Sequence, residues 1–378
     1  MNVVWPGVEH PVQDTAVPPT QAPHFRPAPD FTPAPCGSFT PPAVAEALKA
    51  HGAAARAELE RFLHVQPRSP WLSELVADYP RRPGKMMRAG LCMAAAGLFG
   101  PRPPEALRTA AAIELFHNGL LIHDDIEDDS EERRGLPTLQ RLHGLPLALN
   151  AGDATLMHAI ALLLDAVEPQ GPHVVKQAMA ATLRMSRETA EGQALELGWR
   201  DGNAGGLSDS DYLEMVLKKT AWMSVIWPLQ LGLLIGSRGR ADPETVARFG
   251  FFLGAAFQIQ DDLLNFVADP AYGKEHLGDL YEGKRTLMLI HVEQHADADE
   301  RARLRAMLAL PRAGRTRAMV EDVAEMMERH GSIAHARAVA GALAGAAAHE
   351  HGLAFGRMPD TADRAFLAGL IPWVFERR

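Results

Sequence analysis

Past residue 40 the chain follows a helical period. Ala, Leu, Met, Ile and Val recur among Glu, Arg, Asp and His, and the alternating β-branched runs expected of strands are missing. The pattern predicts a helix over 43–64, opened by Pro41-Pro42. An Ala-rich helix should follow Gly84-Lys85 and end near 97–100, and 105–129 reads as one long helix. Further helices are expected at 146–167, 172–199, 209–236, 242–268 and 284–296, with a last group at 299–308, 315–330, 332–353 and 360–376. No internal repeat or linker interrupts this text, which predicts a single all-α domain over 41–378. Residues 1–40 read differently. Prolines stand at 6, 11, 18, 19, 23, 27, 29, 33 and 35 with few aliphatic clusters, so the segment buries too little surface to offset its ordering entropy and reads as a disordered leader.

Two of the apolar helical runs end in acid. The stretch Ile113–Ile122 leads into His123-Asp124-Asp125-Ile126-Glu127-Asp128-Asp129, and Phe257-Gln258-Ile259 leads into Gln260-Asp261-Asp262-Leu263-Leu264-Asn265. Residues four apart share a helix face, which pairs Asp124 with Asp128 and Asp261 with Asn265. A solvated acidic helix end is the plain alternative for either segment alone. Both, however, follow core-like text, and both have cations beside them. Arg133-Arg134 follow the first, and Lys274 and Lys284 bracket Gly278-Asp279 after the second. Carboxylates clustered on an inner helical wall are costly unless cations neutralise them. Hard oxygen donors recruit Mg²⁺, which takes one or two carboxylates and completes its shell with substrate phosphates. Paired guanidiniums suit bidentate phosphate recognition. The pattern therefore implies a diphosphate held through metal ions between two acidic helices.

Composition narrows the alternatives. The chain has 378 residues, 47% of them hydrophobic and 22% charged, an ordinary globular balance. A formal net charge of −9 with no basic stripe argues against a nucleic-acid binder. Only Cys36 and Cys92 are present, so no disulfide framework is expected and a reducing cytoplasm fits best. No run reaches about 18 uninterrupted apolar residues, and no basic start precedes an apolar core. Neither a transmembrane segment nor a secretory signal is expected.

In order along the chain stand His-Asp-Asp-Ile-Glu-Asp at 123–128, Arg133-Arg134-Gly135, Lys219-Thr220 and Phe257-Gln258-Ile259-Gln260-Asp261-Asp262. Over roughly Tyr79 to Thr286 this set resembles the trans-isoprenyl diphosphate synthases, the polyprenyl synthetases, of geranylgeranyl-diphosphate-synthase type. The resemblance implies an isoprenoid-synthase-type helical bundle around a central cavity. It implies Mg²⁺-dependent prenyl transfer, in which isopentenyl diphosphate is condensed head-to-tail (1′-4) with an allylic diphosphate. Carried onto this chain, Asp124, Asp125 and Asp128 form one metal cluster and Asp261 and Asp262 the other, with three Mg²⁺ ions when substrate is bound. Arg133, Lys219 and Lys274 grip the allylic diphosphate, with Lys284 and Thr220 nearby. Gly84-Lys85-Met86-Met87-Arg88 resembles the family's Gly-Lys-x-x-Arg signature. With His117 and Arg134, its Lys85 and Arg88 hold the diphosphate of isopentenyl diphosphate. His117 lies two helical turns before Asp124 on the same face. Gln193 and Gln258 match polar positions lining the cavity, and Asp153 and Glu196 are candidates for supporting positions. A homodimer is expected on the same grounds.

The resemblance also implies that product length is set by the residues one and two turns before the first Asp, here Gly119 and Leu120, then Phe116. Gly119 is expected to leave the upper floor open and Phe116 to close it a turn lower, which points to geranylgeranyl diphosphate. Lys218 reads as a surface charge, and Met185, Met215 and Met223 as packing. Two positions depart from the family pattern: Asn265 replaces the usual last Asp, and Leu277 stands where many relatives have Gly. Three other readings compete. A terpene cyclase on the same fold needs no second diphosphate pocket, against which Lys85, Arg88 and His117 argue. A non-catalytic partner subunit is disfavoured by the intact acids. A Mg²⁺-dependent hydrolase has no use for an apolar tunnel.

Overall fold

The computed structural model describes residues 40–66, 69–266 and 276–376. The leader expected over 1–40 lies outside these, Thr40 excepted, and so does Lys274. Helices α1 (Pro41–Val65), α2 (Ser73–Arg81), α3 (Met87–Gly97) and α4 (Glu105–Glu127) come first. The short pair β1 (Glu132–Arg133) and β2 (Leu136–Pro137) follows, then α5 (Leu139–His143), α6 (Leu145–Val167) and α7 (Pro172–Asp201). Next are α8 (Asp209–Val216), a π-helical segment (Leu217–Ile226), α9 (Trp227–Ser237) and α10 (Ala247–Phe266). The chain ends with α11 (Gly278–Glu282), α12 (Leu287–His295), α13 (Ala298–Leu308), α14 (Arg317–Arg329), α15 (Ser332–Phe355) and α16 (Ala362–Glu376). Proline stands in the first turn of α1, α6 and α7, where its missing N–H is no loss. Ser208 and Asp297 open α8 and α13 with reciprocal capping boxes.

Helices α3 and α9 form the centre because they are apolar on almost every side. Small residues along α3 let α9 pack close against it, and α4 and α16 pack on α3 as well. Around this pair, α4 lies on α6, and α10 lies between the π segment and α15. Two large apolar clusters result, one toward α10, α12 and α14–α16, the other toward α1, α4, α6 and α7. Met185 and Met223 belong to the second and Met215 to the first, all buried as expected of packing residues.

The structure departs from the helical reading in several places. Helices α2 and α5 were not expected, and α11 stands apart from α12, which begins only at Leu287. A hairpin exists where no strand was predicted: β1 and β2 pair antiparallel around Arg134 and Gly135, both with positive φ. The helix expected over 209–236 changes to π geometry over Leu217–Ile226, and π geometry within α-helices is frequent at functional positions. Finally, two helical stretches are long and apolar enough to cross a membrane by length and composition, Leu145–Gln170 and Asp209–Ser237. Interspersed polar residues hid them from a search for uninterrupted runs. The second is 89% buried, as a core helix is, but the first is only 39% buried.

Leu277 shows how one departure from the family pattern is accommodated. It begins α11 in the left-handed region at φ 58°, a conformation glycine adopts freely. Its side chain is buried, and its N–H donates to the Asn265 carbonyl at 3.1 Å. Burying a leucine contributes about 1.5–3 kcal/mol, against about 1–2 kcal/mol for left-handed strain, so burial carries the turn. Leu277→Ala keeps the strain and loses the burial. Leu277→Gly loses the burial but relieves the strain, less the chain entropy of glycine. Chemical denaturation should therefore find both variants destabilised, with Gly about 0.5–1 kcal/mol more stable than Ala. The opposite order would mean that the turn does not hold this conformation in solution.

Candidate active site

The last turn of α4 presents its acids in two directions. Asp125 is fully buried; its Oδ2 accepts a short hydrogen bond from the Tyr79 hydroxyl. Arg133 Nε donates to both Asp125 oxygens, at 2.9 and 3.1 Å, and Nη2 reaches Asp124 Oδ2 at 3.3 Å. Arg133 is delivered by the β1–β2 hairpin, which Arg82 holds by donating to the carbonyls of Arg133 (3.0 Å) and Pro137 (2.8 Å) while stacking on Tyr79. Tyr79 and Arg82 were missed in the sequence. Their only signal is the Tyr-Pro-Arg-Arg run at 79–82, just before the Gly84-Lys85 pair.

Asp124 and Asp128 face a set of cations instead. Lys219 Nζ lies 3.2 Å from Asp124 Oδ1, and Lys284 Nζ 2.9 Å from Asp128 Oδ2. Arg200, also missed, donates to Asp128 Oδ1 at 3.1 Å. Lys219 also bonds Glu196. The π segment presents Lys219 from close against α7: a Cβ on Gly192 would lie 2.2 Å from the Lys219 amide nitrogen, so no other residue fits there. Burial works against ionisation of Asp124, yet Lys219, Lys284 and Arg133 hold it well below the usual carboxylate range. Asp128 goes the other way, pushed up to about 6 by burial and the Asp124 charge despite Lys284.

The second acidic segment, on α10, has its own support. Asp262 accepts from the Tyr212 hydroxyl and from Gln258 Nε2, each at 2.7 Å, and Thr220 Oγ1 donates to Gln258 Oε1 at 3.0 Å. Burial and the Asp279 and Asp261 charges still push Asp262 up to about 8. Asn265 does not mimic the missing acid. Its Oδ1 accepts from the Asp279 N–H at 3.1 Å and so fixes the turn that brings Asp279 toward Asp262. Lys284 feels Asp128, Glu282, Glu196 and Asp279, which puts its charge between the two acidic segments.

A further cationic group lies on the other side. Arg88 Nη2 donates to Ser224 Oγ at 2.6 Å, while burial, opposed by Glu114, lowers the guanidinium to about 10; Arg134 and Asp261 also act on it. His117 is held well below its ordinary value by burial and by Arg88, Arg134 and Arg133, so it is neutral at neutral pH. Arg134 donates to Tyr79 O at 3.2 Å and lies against Gly84. Lys85 is exposed beside them. It lines, with Lys49, Arg56, Leu48 and Trp373, a cavity of about 640 Å³ between α1 and α16.

Some expected residues sit differently. Gln193 Nε2 donates to Glu127 Oε2 at 2.6 Å, and Asp153 pairs with His123 at 3.3 Å, turned away from the acids. Lys218 is half-buried and pairs with Glu188 and Glu191 on α7. Gly119 does not open a floor: a Cβ there would lie 2.8 Å from Leu156 Cδ2, so this glycine serves the close approach of α4 to α6. Phe116 lies in the apolar cluster below the acids, edge-on to Trp227 at 5.4 Å between ring centroids, and Leu120 packs against the same cluster.

The donor set fits a hard divalent cation. Asp128 and Asp262 both sit above the ordinary carboxylate range because burial disfavours their charge and the Asp124 and Asp279 carboxylates add to it, so a cation bound beside them would favour the charged forms. No three His, Cys, Asp or Glu side chains among the described residues already form a cage, so ligand oxygens would have to complete the shell, as Mg²⁺ with a phosphate ligand does.

Comparison with known proteins places these features. The family model of the polyprenyl synthetases matches residues 69–327. The short chain isoprenyl diphosphate synthase of Methanothermobacter thermautotrophicus is 36% identical over 259 residues, 68% of this chain and 76% of that protein. The structure of geranylgeranyl pyrophosphate synthetase from Pyrococcus horikoshii superposes with a TM-score of 0.75 at 28% identity, covering 88% of this chain and 99% of that one. Polyprenyl synthase from Caulobacter crescentus, solved with calcium and isoprenyl diphosphate, gives 0.78 at 26% identity over 91% of this chain and 100% of that one. With two acidic segments and their cations on an all-α fold, the chain belongs to the polyprenyl synthetase family and is a prenyltransferase.

Proposed function

We propose that the chain, through a catalytic domain spanning 41–378, condenses isopentenyl diphosphate head-to-tail with an allylic diphosphate to give geranylgeranyl diphosphate. The observation that carries this reading is the presence of two separate cationic groups around one pair of acidic segments. Lys219, Lys284 and Arg133 lie on the Asp124–Asp128 side. Arg88, His117 and Arg134 form the second group, with Lys85 at its edge. A cyclase or a hydrolase handles one diphosphate; two anion positions suit a condensation of two.

Asp124, Asp125 and Asp128 on one side, and Asp261 and Asp262 on the other, would hold Mg²⁺. Bound there, the ions supply electrophilic stabilisation of the departing diphosphate. In the same step Lys219, Lys284 and Arg133 exchange carboxylate oxygens for diphosphate oxygens. Their charge is then applied where negative charge develops as the allylic C–O bond breaks and its electron pair leaves with oxygen. Lys274 falls outside the described residues and is assigned to the same group on the sequence pattern alone. Thr220 and Gln258 orient Asp262 through their hydrogen-bonded chain, and Gln193 holds Glu127 at the rim. Arg88, Arg134, Lys85 and neutral His117 fix the second diphosphate so that its double bond attacks the allylic carbon. The proton lost afterwards passes to the released diphosphate, because burial and the guanidiniums of Arg88, Arg134 and Arg133 leave the His117 imidazole too weak a base to take it. Apolar walls at Phe116, Leu120, Trp222 and Met223 exclude water that would quench the cation.

The exposed face of α6 supports a homodimer. Leu145, Leu149, Met157 and Leu164 repeat along it at helical spacing and are 39–62% exposed, with Leu142 of α5 beside them. Covering such a stripe with a second copy removes it from water. The free, buried Cys92 fits the reducing cytoplasm expected for the chain.

Radiolabelled isopentenyl diphosphate should be incorporated into prenols with dimethylallyl, geranyl or farnesyl diphosphate only when Mg²⁺ is present, and Lys219→Met should lower kcat about 100- to 1000-fold. Allylic substrate turned to hydrocarbon without incorporation would favour the cyclase reading instead. Phe116→Ala should shift products to longer chains; it costs about 3–5 kcal/mol of packing, so Phe116→Leu serves as the milder companion. Unchanged chain lengths in both would place the floor elsewhere. Leu149→Asp should convert a dimer to a monomer by light scattering, and a dimer that survives Leu149→Asp with Met157→Asp would place the interface on another face.

A further inference from the structure

The second cationic group is held in place by residues outside the two acidic segments. Arg88 sits in the first turn of α3, which opens with Met86 in the left-handed region at φ 52°. The Ala89 N–H of that turn donates to Glu114 Oε1 at 2.9 Å, so a buried carboxylate of α4 fixes where the helix starts. The Glu114 charge also favours the charged forms of Arg88 and Arg134. Neither contact sets the direction of the Arg88 tip.

The tip is set from across the interior. Arg88 Nη2 donates to Ser224 Oγ at 2.6 Å over a separation of 136 residues, and Ser224 is itself buried. A guanidinium carries five N–H groups in one rigid plane, so a bond at one nitrogen restrains the aim of the others. Arg88 Nε, on the same edge as Nη2, is buried with no hydrogen-bond partner. A buried donor left unpaired is rare, and here it marks a place where an acceptor is due. Diphosphate oxygens are acceptors of that kind, and the edge of a guanidinium takes two of them together.

Ser224 can hold the fork because its own backbone has little room to shift. It lies in the π segment Leu217–Ile226, which is packed without slack on two sides. A Cβ on Gly192 of α7 would lie 2.2 Å from Lys219 N, one on Gly254 of α10 would lie 2.8 Å from Ala221 Cα, and one on Gly250 would lie 2.6 Å from Ile226 Cγ1. The same segment sends Lys219 to Asp124 and sends Thr220, through Gln258, to Asp262. One tightly packed stretch therefore reaches both acidic segments and the second cationic group.

We propose that Ser224 is a positioning residue for the condensation. Its hydroxyl aims Arg88 at the diphosphate of isopentenyl diphosphate and ties that position to the segment that carries Lys219. This rests on the assignment of Arg88 to that diphosphate.

The test is steady-state kinetics on the full chain in saturating Mg²⁺, each substrate varied against a saturating amount of the other. Ser224→Ala should raise KM for isopentenyl diphosphate about 5- to 20-fold, with kcat and the allylic KM changed by no more than about twofold. Ser224→Thr keeps the hydroxyl and should recover most of the loss. Because Ser224 acts through Arg88, adding Ser224→Ala to Arg88→Gln should cost no more than about twofold further. Four results would each overturn the role of Ser224: an unchanged KM in Ser224→Ala, a rise in KM shared by both substrates, the full loss repeated on the Arg88→Gln background, or no recovery in a Ser224→Thr variant of wild-type thermal stability. If Arg88→Gln leaves KM for isopentenyl diphosphate unchanged, the assignment of Arg88 itself has failed, which tells the two failures apart.

Discussion

Carboxylates facing one another across a helical interior repel, and most of the unusual features of this chain serve to hold them there. Moving one such group out of water costs several kcal/mol even after relaxation, and a like charge beside it adds to that. The fold answers fully at Asp124, which Lys219, Lys284 and Arg133 hold below the usual carboxylate range against burial. At Asp125 burial outweighs Arg133 and the Tyr79 hydroxyl and raises the carboxyl, and at Asp128 and Asp262 burial and neighbouring carboxylates displace it upward to about 6 and about 8. A cation bound at these acids would favour their charged forms. A protein built only for stability would have paired these acids or replaced them.

Local irregularities line up with these acids and their cations. The π segment interrupts the helix from 209 to 237 where it must present Lys219 toward α4, and Gly192 lets it sit against α7 with almost no separation. The β1–β2 hairpin exists to turn Arg133 back over Asp125, and Arg82 anchors it from α2. Leu277 accepts a left-handed backbone so that Asn265 can hold the turn bearing Asp279. The hairpin stays at the surface, while the π segment and Leu277 are also packed into the core. Each sets the direction of one charge.

This division explains what was legible in the sequence. The long helices could be read because their apolar stripes bury against neighbours, and the acids and Lys219-Thr220 could be read because their order along the chain is distinctive. Tyr79, Arg82 and Arg200 could not, because their roles come from folding distant segments together: Tyr79 reaches Asp125 across 46 residues and Arg200 reaches Asp128 across 72. Gly119 was misread for a related reason. Spacing along α4 says which residues share a face, but not whether that face looks into the interior or onto α6, and here Leu156 occupies the space. The hairpin is too short to carry a period, and α2 is short with Pro80 inside it, a residue that reads as a helix breaker.

The placement of the cations also bears on the order of events in a condensation. Arg133, Lys219 and Lys284 are already spent on carboxylates, so a diphosphate arriving alone on that side meets acids and cations that largely cancel. A divalent ion changes the sign of that encounter by drawing the carboxylates away from the lysines. Arg88 and Arg134 differ: burial disfavours both guanidiniums, Arg134 adds to this at Arg88, and Arg133, Arg56 and Arg82 add to it at Arg134, which Glu114 only partly offsets, so an anion beside them would relieve repulsion without needing an ion first. On electrostatic grounds the proposed allylic diphosphate position would depend on metal and the other would not. That asymmetry suits a reaction in which one diphosphate must leave and the other must stay attached.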